Sequence, residues 1–227
     1  MLDLDAQEQR PWPELLAQQR ELLSLFVGNC HWVGKILLEC FSGARDQQAV
    51  PLLENHRYGE LSTSALGLLK YPANAASTSD QLGQIAHTDV GSITVLFAQL
   101  GGLQVLDSQG SWKFVQPKAG HAVVNIGDSL RFLTGKMLRS SLHRVVPHPD
   151  VLDQPRYSIA YFLRPEYDAH FEDEDGTRWT GLGWHMRKFI VFRASAEEQK
   201  NDSVLTGRKG YLGLWKGKAE SIAEAAS

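Results

Sequence analysis

Cysteine is scarce in this 227-residue chain, which contains only Cys30 and Cys40. Two cysteines cannot form the disulfide framework that stabilises small secreted proteins. We therefore expect both to be free thiols without a functional role, in a protein of a reducing compartment.

Long apolar runs are absent as well. A membrane-spanning helix needs about 20 consecutive apolar residues, and no stretch of the chain approaches that length. The first residues, Met1 to Asp5, do not begin a secretory signal. We therefore expect a cytoplasmic protein without a membrane partner.

An excess of positive charge is also missing. The chain has 23 lysines and arginines against 26 aspartates and glutamates, which gives a formal net charge of −3. No basic patch with interleaved aromatic residues occurs, although such a patch is typical of a nucleic-acid surface. We therefore expect no nucleic-acid partner.

The composition that is present is typical of one soluble domain. With 43% hydrophobic residues and no internal repeat, the chain is long enough to enclose one sizeable core, and we expect a monomer. Apolar residues at helical spacing predict a packing helix from Pro13 to Ser42. A second helix is predicted from Trp184 to Lys200.

The middle of the chain has a different pattern. Between about Ser64 and Phe162, short apolar runs are separated by Gly, Asp, Asn and Pro. This pattern predicts the evenly spaced strands of a sandwich or jelly roll. The predicted strands include Ile93–Phe97, Leu103–Leu106, Ala122–Ile126 and Ser158–Leu163.

The most informative motif is His87-Thr88-Asp89, which is followed far downstream by His143. In an extended chain, residues i and i+2 point to the same side, so His87 and Asp89 can converge on one metal ion while Thr88 faces away. His143 would complete the triangle from a distant strand. Two histidines and one carboxylate form the ligand set of non-haem Fe(II) oxygenases. A His-x-Asp pair taken alone is more commonly a packed, hydrogen-bonded pair.

A second pair follows in Arg156-Tyr157-Ser158. Arg156 and Ser158 are again at i and i+2 and therefore share a face. A guanidinium forms a bidentate pair with a carboxylate, and a neighbouring hydroxyl can donate one more hydrogen bond. The pair is therefore a suitable anchor for a dicarboxylate.

These segments resemble the iron- and 2-oxoglutarate-dependent dioxygenases of the isopenicillin N synthase-like superfamily. The resemblance covers about residues 65–165 and includes Gly101–Val105, Gly120–Asp128 and Leu142–Val146. It implies a mainly β fold, a double-stranded β-helix (jelly roll, cupin-like) core with flanking α-helices. We expect the core at 64–165, a helical amino-terminal flank at 1–63, and a carboxy-terminal helical segment and tail at 166–227.

The resemblance also implies roles for individual residues. It implies His87, Asp89 and His143 as iron ligands. It implies Arg156 and Ser158 as the residues that hold the distal carboxylate of 2-oxoglutarate.

Tyr71 matches a tyrosine that hydrogen-bonds the co-substrate in many members of the family. Many members also carry an asparagine two positions earlier, where this chain has Leu69. We therefore expect the proximal end of the co-substrate to be held differently.

The implied activity is oxidation of a small organic metabolite with O2, Fe(II) and 2-oxoglutarate, with release of succinate and CO2. Hydroxylation, desaturation and ring formation all remain open. Phe162, Trp184, Phe189 and Trp215 are candidates for substrate contact, although core packing is the commoner role for such residues.

Two alternatives also remain open. Arg-x-Ser pairs occur in superfamily members that do not use 2-oxoglutarate, so an iron-dependent oxidase is one of them. Members of the family commonly carry a longer amino-terminal region, so a catalytically silent, truncated metal-binding fragment is the other.

Several conspicuous residues have structural interpretations. Gly101-Gly102 and Gly127-Asp128 are interpreted as turns, because glycine supplies backbone freedom there. The acidic run 172–175 lacks the alternating ligands of a calcium loop and predicts a solvated turn. The histidines without a partner at ligand spacing, expected at the surface or in the core, are His121, His148, His170 and His185.

Overall fold

The computed structural model describes residues 12–43, 51–73, 83–148, 150, 153–200 and 202–207. The helices are α1 (Glu14–Ala17), α2 (Arg20–Gly43), α3 (Asp128–Leu133), α4 (Gly181–Arg193) and α5 (Ala196–Lys200). The strands are β1 (Ala65–Tyr71), β2 (Gln84–His87), β3 (Ile93–Ala98), β4 (Leu103–Leu106), β5 (Trp112–Phe114), β6 (Val123–Ile126), β7 (His143–Val145), β8 (Arg156–Leu163), β9 (His170–Glu172) and β10 (Arg178–Thr180). Short 3-10 helices occupy Leu52–Asn55 and Ser203–Leu205.

The strands form two four-stranded antiparallel sheets and one hairpin. The first sheet has the order β1-β8-β3-β6, the second has the order β2-β7-β4-β5, and β9 pairs with β10. Most neighbours in each sheet are distant in sequence, as in a jelly roll, where the chain crosses repeatedly between two sheets. The predicted mainly β, jelly-roll fold is confirmed.

β8 shows how the sequence assigns two faces to the first sheet. Arg156, Ser158 and Ala160 are buried, while Tyr157 and Ile159 between them are exposed. The two-residue period of a strand therefore directs the polar residues of this strand to the interior of the protein.

Helix α2 covers part of the outer face of the first sheet. The buried cluster contains Val27, Cys30 and Leu38 of α2 with Ile93 and Val95 of β3 and Tyr161 and Leu163 of β8. Cys30 is therefore a core residue, and both cysteines are free thiols as predicted. Among the described residues, no helix combines the length and the apolar character that a membrane-spanning segment needs.

The helix predicted from Trp184 to Lys200 is two helices. Helix α4 begins earlier than predicted, at Gly181, where the Thr180 hydroxyl accepts a hydrogen bond from Gly183 N at 3.0 Å. It ends at Arg193, because Ser195 starts α5 with a capping box. The Ser195 hydroxyl accepts from Glu198 N at 3.3 Å, and the Glu198 carboxylate accepts from Ser195 N at 2.8 Å.

The acidic run begins at Glu172, the last residue of β9, and its residues 173–175 lie in the turn of the β9–β10 hairpin, where a solvated turn is predicted. Asp173 Oδ1 accepts hydrogen bonds from Asp175 N and Thr177 N, both at 3.0 Å. Asp173 Oδ2 accepts from Trp179 Nε1 at 2.8 Å. The hairpin itself was not predicted, because each strand has only three residues.

Gly127 corrects one interpretation from the sequence. The sequence predicts a turn residue with unusual backbone freedom at this position. Its φ of −101° and ψ of −178° are instead extended values that any residue adopts. Its function is close approach, since a Cβ there would lie 2.3 Å from Gly91 O and 2.9 Å from Asp89 O. Gly127 thus lets α3 begin directly against the loop that follows β2.

Candidate metal centre and co-substrate pocket

A cavity of about 350 Å³ lies between the two sheets. The first sheet contributes side chains of β1, β3, β6 and β8, and the second contributes side chains of β2, β4 and β7. Helix α4 adds Lys188, Phe189 and Phe192. All of the residues predicted as metal ligands or co-substrate ligands line this one cavity.

His87, Asp89 and His143 meet in the cavity. β2 ends at His87 and β7 begins at His143, and the two histidines are partners in the register of these strands. Asp89 Oδ1 lies 3.7 Å from His87 Nε2 and 3.8 Å from His143 Nε2. The three potential ligand atoms lie within 4.8 Å of one another, and no other such group of three occurs among the described residues.

The hydrogen bonds of the two rings fix which nitrogen faces Asp89. His87 Nδ1 donates to Ile85 O at 2.8 Å, and His143 Nδ1 donates to Ser141 O at 3.0 Å. A carbonyl oxygen can only accept, so each Nδ1 carries the proton. The lone pair of each Nε2 therefore points towards the carboxylate, which is the arrangement that a metal ion requires.

Among the described residues, the hydrogen bonds that hold the Asp89 carboxylate all end on one of its two oxygens. The Thr94 hydroxyl donates to Oδ2 at 2.5 Å, and Asn125 Nδ2 donates to the same atom at 2.8 Å. Burial alone would raise the pKa of Asp89, but electrostatic interactions with His143 and His87 and these hydrogen bonds lower that pKa to about 2. The carboxylate is therefore ionised at neutral pH, and Oδ1 remains directed towards the histidines.

His87 is held in its neutral form. Burial and then the electrostatic interaction with the His143 ring lower the pKa of His87 to about 3, although the interaction with Asp89 acts in the opposite direction. A neutral imidazole is the form that binds a metal ion.

Thr88 points away from this group, as its place in the motif predicts. Its hydroxyl donates to Asp128 Oδ2 at 2.9 Å and accepts from Lys188 Nζ at 2.7 Å. Lys188 also forms an ion pair with Asp128, and both side chains are buried. Thr88 N donates to Leu205 O at 2.9 Å. The loop after β2 is thus tied to α4 and to the 3-10 helix at Ser203–Leu205.

Arg156 and Ser158 lie at one end of the cavity. Arg156 Nε donates to Gly101 O at 3.0 Å, and Nη1 donates to Ser158 Oγ at 3.4 Å. The guanidinium lies over the Tyr71 ring, 5.2 Å from its centroid. Arg156 is 7% exposed, and no carboxylate among the described residues forms an ion pair with it. Burial lowers the pKa of Arg156, but an arginine remains charged.

Strand pairing brings the predicted co-substrate residues together. In the register of β1 and β8, Tyr71 is opposite Arg156 and Leu69 is opposite Ser158. Burial raises the pKa of Tyr71 and thus keeps its phenol protonated. Leu69 presents an apolar side chain to the cavity.

The Gly101-Gly102 pair supports Arg156. Gly102 has a φ of +117°, which confirms its interpretation as a turn residue. A Cβ at Gly102 would also lie 2.6 Å from Val146 O and 3.5 Å from Arg156 Cδ. The pair therefore allows the backbone to pass close to Arg156 as well as to turn.

Arg164 also lines the cavity. It follows the end of β8 and continues the alternation of inward-facing residues that begins at Arg156. Its Nη1 donates to Thr63 O, and its guanidinium lies 5.2 Å from the Phe162 ring centroid and 5.8 Å from that of Phe189. Only 9% of the residue is exposed.

The remaining candidates divide between the cavity and the core. Phe162 and Phe189 line the cavity, whereas Trp184 is buried in a cluster with Phe132 and Phe171. Trp215 lies outside the described residues.

None of the four histidines interpreted as structural belongs to the triad. His121 and His170 are exposed. The His148 ring packs against Phe114, and the His185 ring stacks on Phe189 at 4.3 Å.

Five described residues of the site were not predicted: Thr94, Asn125, Asp128, Arg164 and Lys188. Asn125 had a visible signal, because it is an amide within the apolar strand Val123–Ile126. Thr94 had little signal in the sequence, because threonine is common in strands. Lys188 and Asp128 are 60 residues apart in the chain, and no local spacing could have connected them.

Comparison with known proteins agrees with this geometry. Residues 57–165 match the model of the 2OG-Fe(II) oxygenase superfamily. The chain is 42% identical over 200 residues to the 2-oxoglutarate-dependent dioxygenase iboH of Amanita muscaria, a match that covers 86% of this chain and 96% of that protein. It is also 42% identical over 188 residues to the 2-oxoglutarate-dependent dioxygenase frbH of Dothideomycetidae sp.. That match covers 82% of this chain but 58% of the relative, so the chain spans less than two thirds of some relatives.

A solved structure has the same fold. A full-length protein from Neurospora crassa, crystallised in complex with alpha-KG, superposes with a TM-score of 0.70 at 25% identity. The superposition covers 84% of this chain and 63% of that one. These findings confirm the predicted enzyme class, an oxidoreductase that depends on Fe(II) and 2-oxoglutarate. The chain belongs to the 2OG-Fe(II) oxygenase superfamily.

Proposed function

We propose that His87, Asp89 and His143 bind the iron, and that Arg156 and Ser158 bind the distal carboxylate of 2-oxoglutarate. The observation that carries the proposal is the convergence of two Nε2 atoms on Asp89 Oδ1, at 3.7 and 3.8 Å, in the cavity that Arg156 also lines. The enzyme then oxidises a C–H bond of a small organic metabolite.

The donor atoms fit an iron ion. Two neutral imidazoles and one ionised carboxylate are a suitable ligand set for Fe(II), and their number leaves further coordination positions open. The Asp89 oxygen that accepts hydrogen bonds from Thr94 and Asn125 is not the oxygen that faces the histidines. The carboxylate is therefore oriented for binding through Oδ1 alone.

The other end of the cavity fits a dicarboxylate. Arg156 is a buried cation without an ion-pair partner among the described residues, and a bound carboxylate would neutralise it. Ser158 and Tyr71 add hydroxyl donors beside it. We propose Tyr71 as a further co-substrate ligand, and Leu69 as an apolar contact in place of the family's asparagine.

When bound, iron and 2-oxoglutarate supply the activation of O2 for oxidation of an organic substrate, with release of succinate and CO2. The chain contributes position and surroundings. Asn125 and Thr94 orient Asp89, the backbone carbonyls orient the histidines, and Arg156 directs the co-substrate. Leu96, Leu103 and Val105 form apolar walls that exclude water from the reacting atoms.

The size of the cavity favours a small molecule. Sites for small molecules commonly enclose roughly 300–1,000 Å³, and this cavity has about 350 Å³. We further propose that 64–165 is the catalytic core, flanked by 1–63 and 166–227. The protein would act as a cytoplasmic monomer without nucleic-acid or membrane partners, and its free thiols support a reducing compartment.

An anaerobic titration with Fe(II), with and without 2-oxoglutarate, tests the metal and co-substrate sites. Chelation of a 2-oxo acid to Fe(II) gives a visible metal-to-ligand charge-transfer band. We expect the band in the native protein, its loss in His87→Ala, and its retention in His170→Ala, which removes an exposed histidine. A folded native protein without the band would contradict the proposal.

A further inference from the structure

The cations that line the cavity are not all accounted for by the proposed function. Lys188 is paired with the buried carboxylate of Asp128. Arg156 is assigned to the distal carboxylate of 2-oxoglutarate. Arg164 has no ion-pair partner among the described residues, although it is nearly as buried as the other two.

The guanidinium of Arg164 has unused hydrogen-bonding capacity. Its Nη1 donates to Thr63 O, whereas its Nε has no hydrogen-bond partner. An unpaired charge at 9% exposure costs free energy, and burial accordingly lowers the pKa of Arg164 to about 10. A carboxylate ligand would supply both the missing charge and the missing acceptors.

Arg156 is the first residue of β8, and Arg164 directly follows the last residue of that strand. They are eight residues apart, so both point to the interior, separated by about 26 Å along an extended chain. Arg164 is also close enough to Asp89 for the two charges to interact. A ligand bound at Arg164 would therefore lie near the metal centre without competing for Arg156.

The surroundings of Arg164 suit the carbon skeleton of an organic acid. Phe162 and Phe189 lie beside the guanidinium, with ring centroids 5.2 and 5.8 Å away. Both rings also line the cavity. An arginine held by aromatic rings keeps its planar fork in place and offers apolar surface next to the charge.

We propose that Arg164 binds a carboxylate of the organic substrate, so that this enzyme oxidises a carboxylic acid rather than a neutral compound. The inference deepens the proposed function and depends on it, because the cavity must also hold iron and 2-oxoglutarate. Arg164 selects and orients the substrate, while the adjoining carbon chain lies against Phe162 and Phe189.

A panel of carboxylic acids and their matched primary amides tests the inference. Acids of the panel range from amino acids to aryl-substituted acids such as phenylacetate, paired with phenylacetamide. The native protein is loaded anaerobically with Fe(II) and saturating 2-oxoglutarate, and each compound is titrated while its perturbation of the charge-transfer band is followed. Succinate release in air gives kcat and KM for compounds that bind.

We expect acids to bind at least about 30-fold more tightly than their amides, because a buried guanidinium left without its acceptor is penalised. Arg164→Gln should raise the KM for the acid by about the same factor, change kcat less, and leave the amide unaffected. Arg164→Lys keeps the charge without the planar fork and should be intermediate. Arg187→Gln removes a charge from α4 outside the cavity and should preserve the preference for acids.

Two results would overturn the inference. One is a panel in which no acid perturbs the band or amides perturb it equally. The other is an Arg164→Gln variant that retains the preference. If that variant does not fold, the comparison of acids with their amides in the native protein tests the inference by itself. Absence of the band before any panel compound is added would instead refute the proposed function, so the two failures are distinguishable.

Discussion

The two ends of the cavity differ in what holds their arginines. Arg156 lies within β8 and is supported by Tyr71 on the paired strand β1 and by the loop at Gly101. Arg164 follows the end of β8 and contacts Phe189 of α4. The end assigned to the co-substrate is thus built from the sheet, whereas the end assigned to the substrate depends on a helix outside it. A substitution in α4 therefore alters a contact of Arg164 and none of these contacts of Arg156.

The metal centre between the two ends is the place where substitution has the largest effect. Asp89→Ala should lower turnover at least about 1000-fold, equivalent to about 4 kcal/mol. The substitution removes the anionic ligand of the iron, on which reaction at both ends of the cavity depends. Succinate release and the charge-transfer band measure the effect. Native turnover in the Asp89→Ala variant would show that the metal centre does not lie between the two ends, and the comparison of the two ends would then have no basis.

The attachment of α4 can be weakened separately. Lys188→Met should lower the free energy of unfolding by about 3 kcal/mol, because Asp128 would remain buried and uncompensated. Chemical denaturation measures this loss, and a second substitution, Asp128→Asn, should restore part of it. Arg187→Gln breaks the partly exposed pair with Asp202 and should cost less than about 1 kcal/mol. Equal losses of unfolding free energy in Lys188→Met and Arg187→Gln would show that the buried pair stabilises the protein no more than the partly exposed pair.

The co-substrate end can be tested against the substrate end. Arg156→Gln should raise the dissociation constant for 2-oxoglutarate by roughly 30- to 100-fold, as expected for the loss of hydrogen bonds to a charged group. The preference for acids over amides should not change. Titration of the charge-transfer band with 2-oxoglutarate measures the first quantity. Weakened 2-oxoglutarate binding in Arg164→Gln but not in Arg156→Gln would reverse the assignment of the two ends.

Per pH unit, the smallest expected effect is a change in stability that arises at His56, which lines a small pocket together with Arg164. His56 is 1% exposed, and burial lowers its pKa to about 4. The unfolded chain, with a histidine pKa near 6.5, binds a proton between about pH 6.5 and 4, while the folded protein does not. Stability should therefore fall as the pH is lowered through this window, by at most about 1.4 kcal/mol per pH unit for this group.

Denaturation at several pH values in native protein and in His56→Gln measures this slope. We expect a flatter dependence in the variant and no change in His170→Ala. If His56→Gln has the native slope, other groups are responsible.

Local spacing was enough to predict which side chains of each pair share a face, whereas the resemblance to a family implied that His143 joins His87 and Asp89. The i and i+2 relation of His87 and Asp89 survives in the structure, and so does that of Arg156 and Ser158. Apolar runs predicted four strands with bounds within about two residues. These features depend on a strand period that is visible in a few consecutive residues.

Contacts between distant segments could not be predicted in this way. The Lys188–Asp128 pair, and the position of α3 that Gly127 permits, depend on how elements pack after they form. The division between α4 and α5 is different, since the capping box at Ser195 and Glu198 was present in the sequence. Arg164 also had a local signal, because it continues the inward series of β8 by one more step.

The backbone hydrogen bond from Thr88 N to Leu205 O joins the loop after β2 to the 3-10 helix at Ser203–Leu205. An amide proton exchanges with solvent only while its hydrogen bond is open. The exchange rate of the Thr88 amide therefore reports the free energy of opening this contact between the short helix and the loop. Because Thr88 lies between His87 and Asp89, one amide proton reports how firmly the backbone between these two side chains is held.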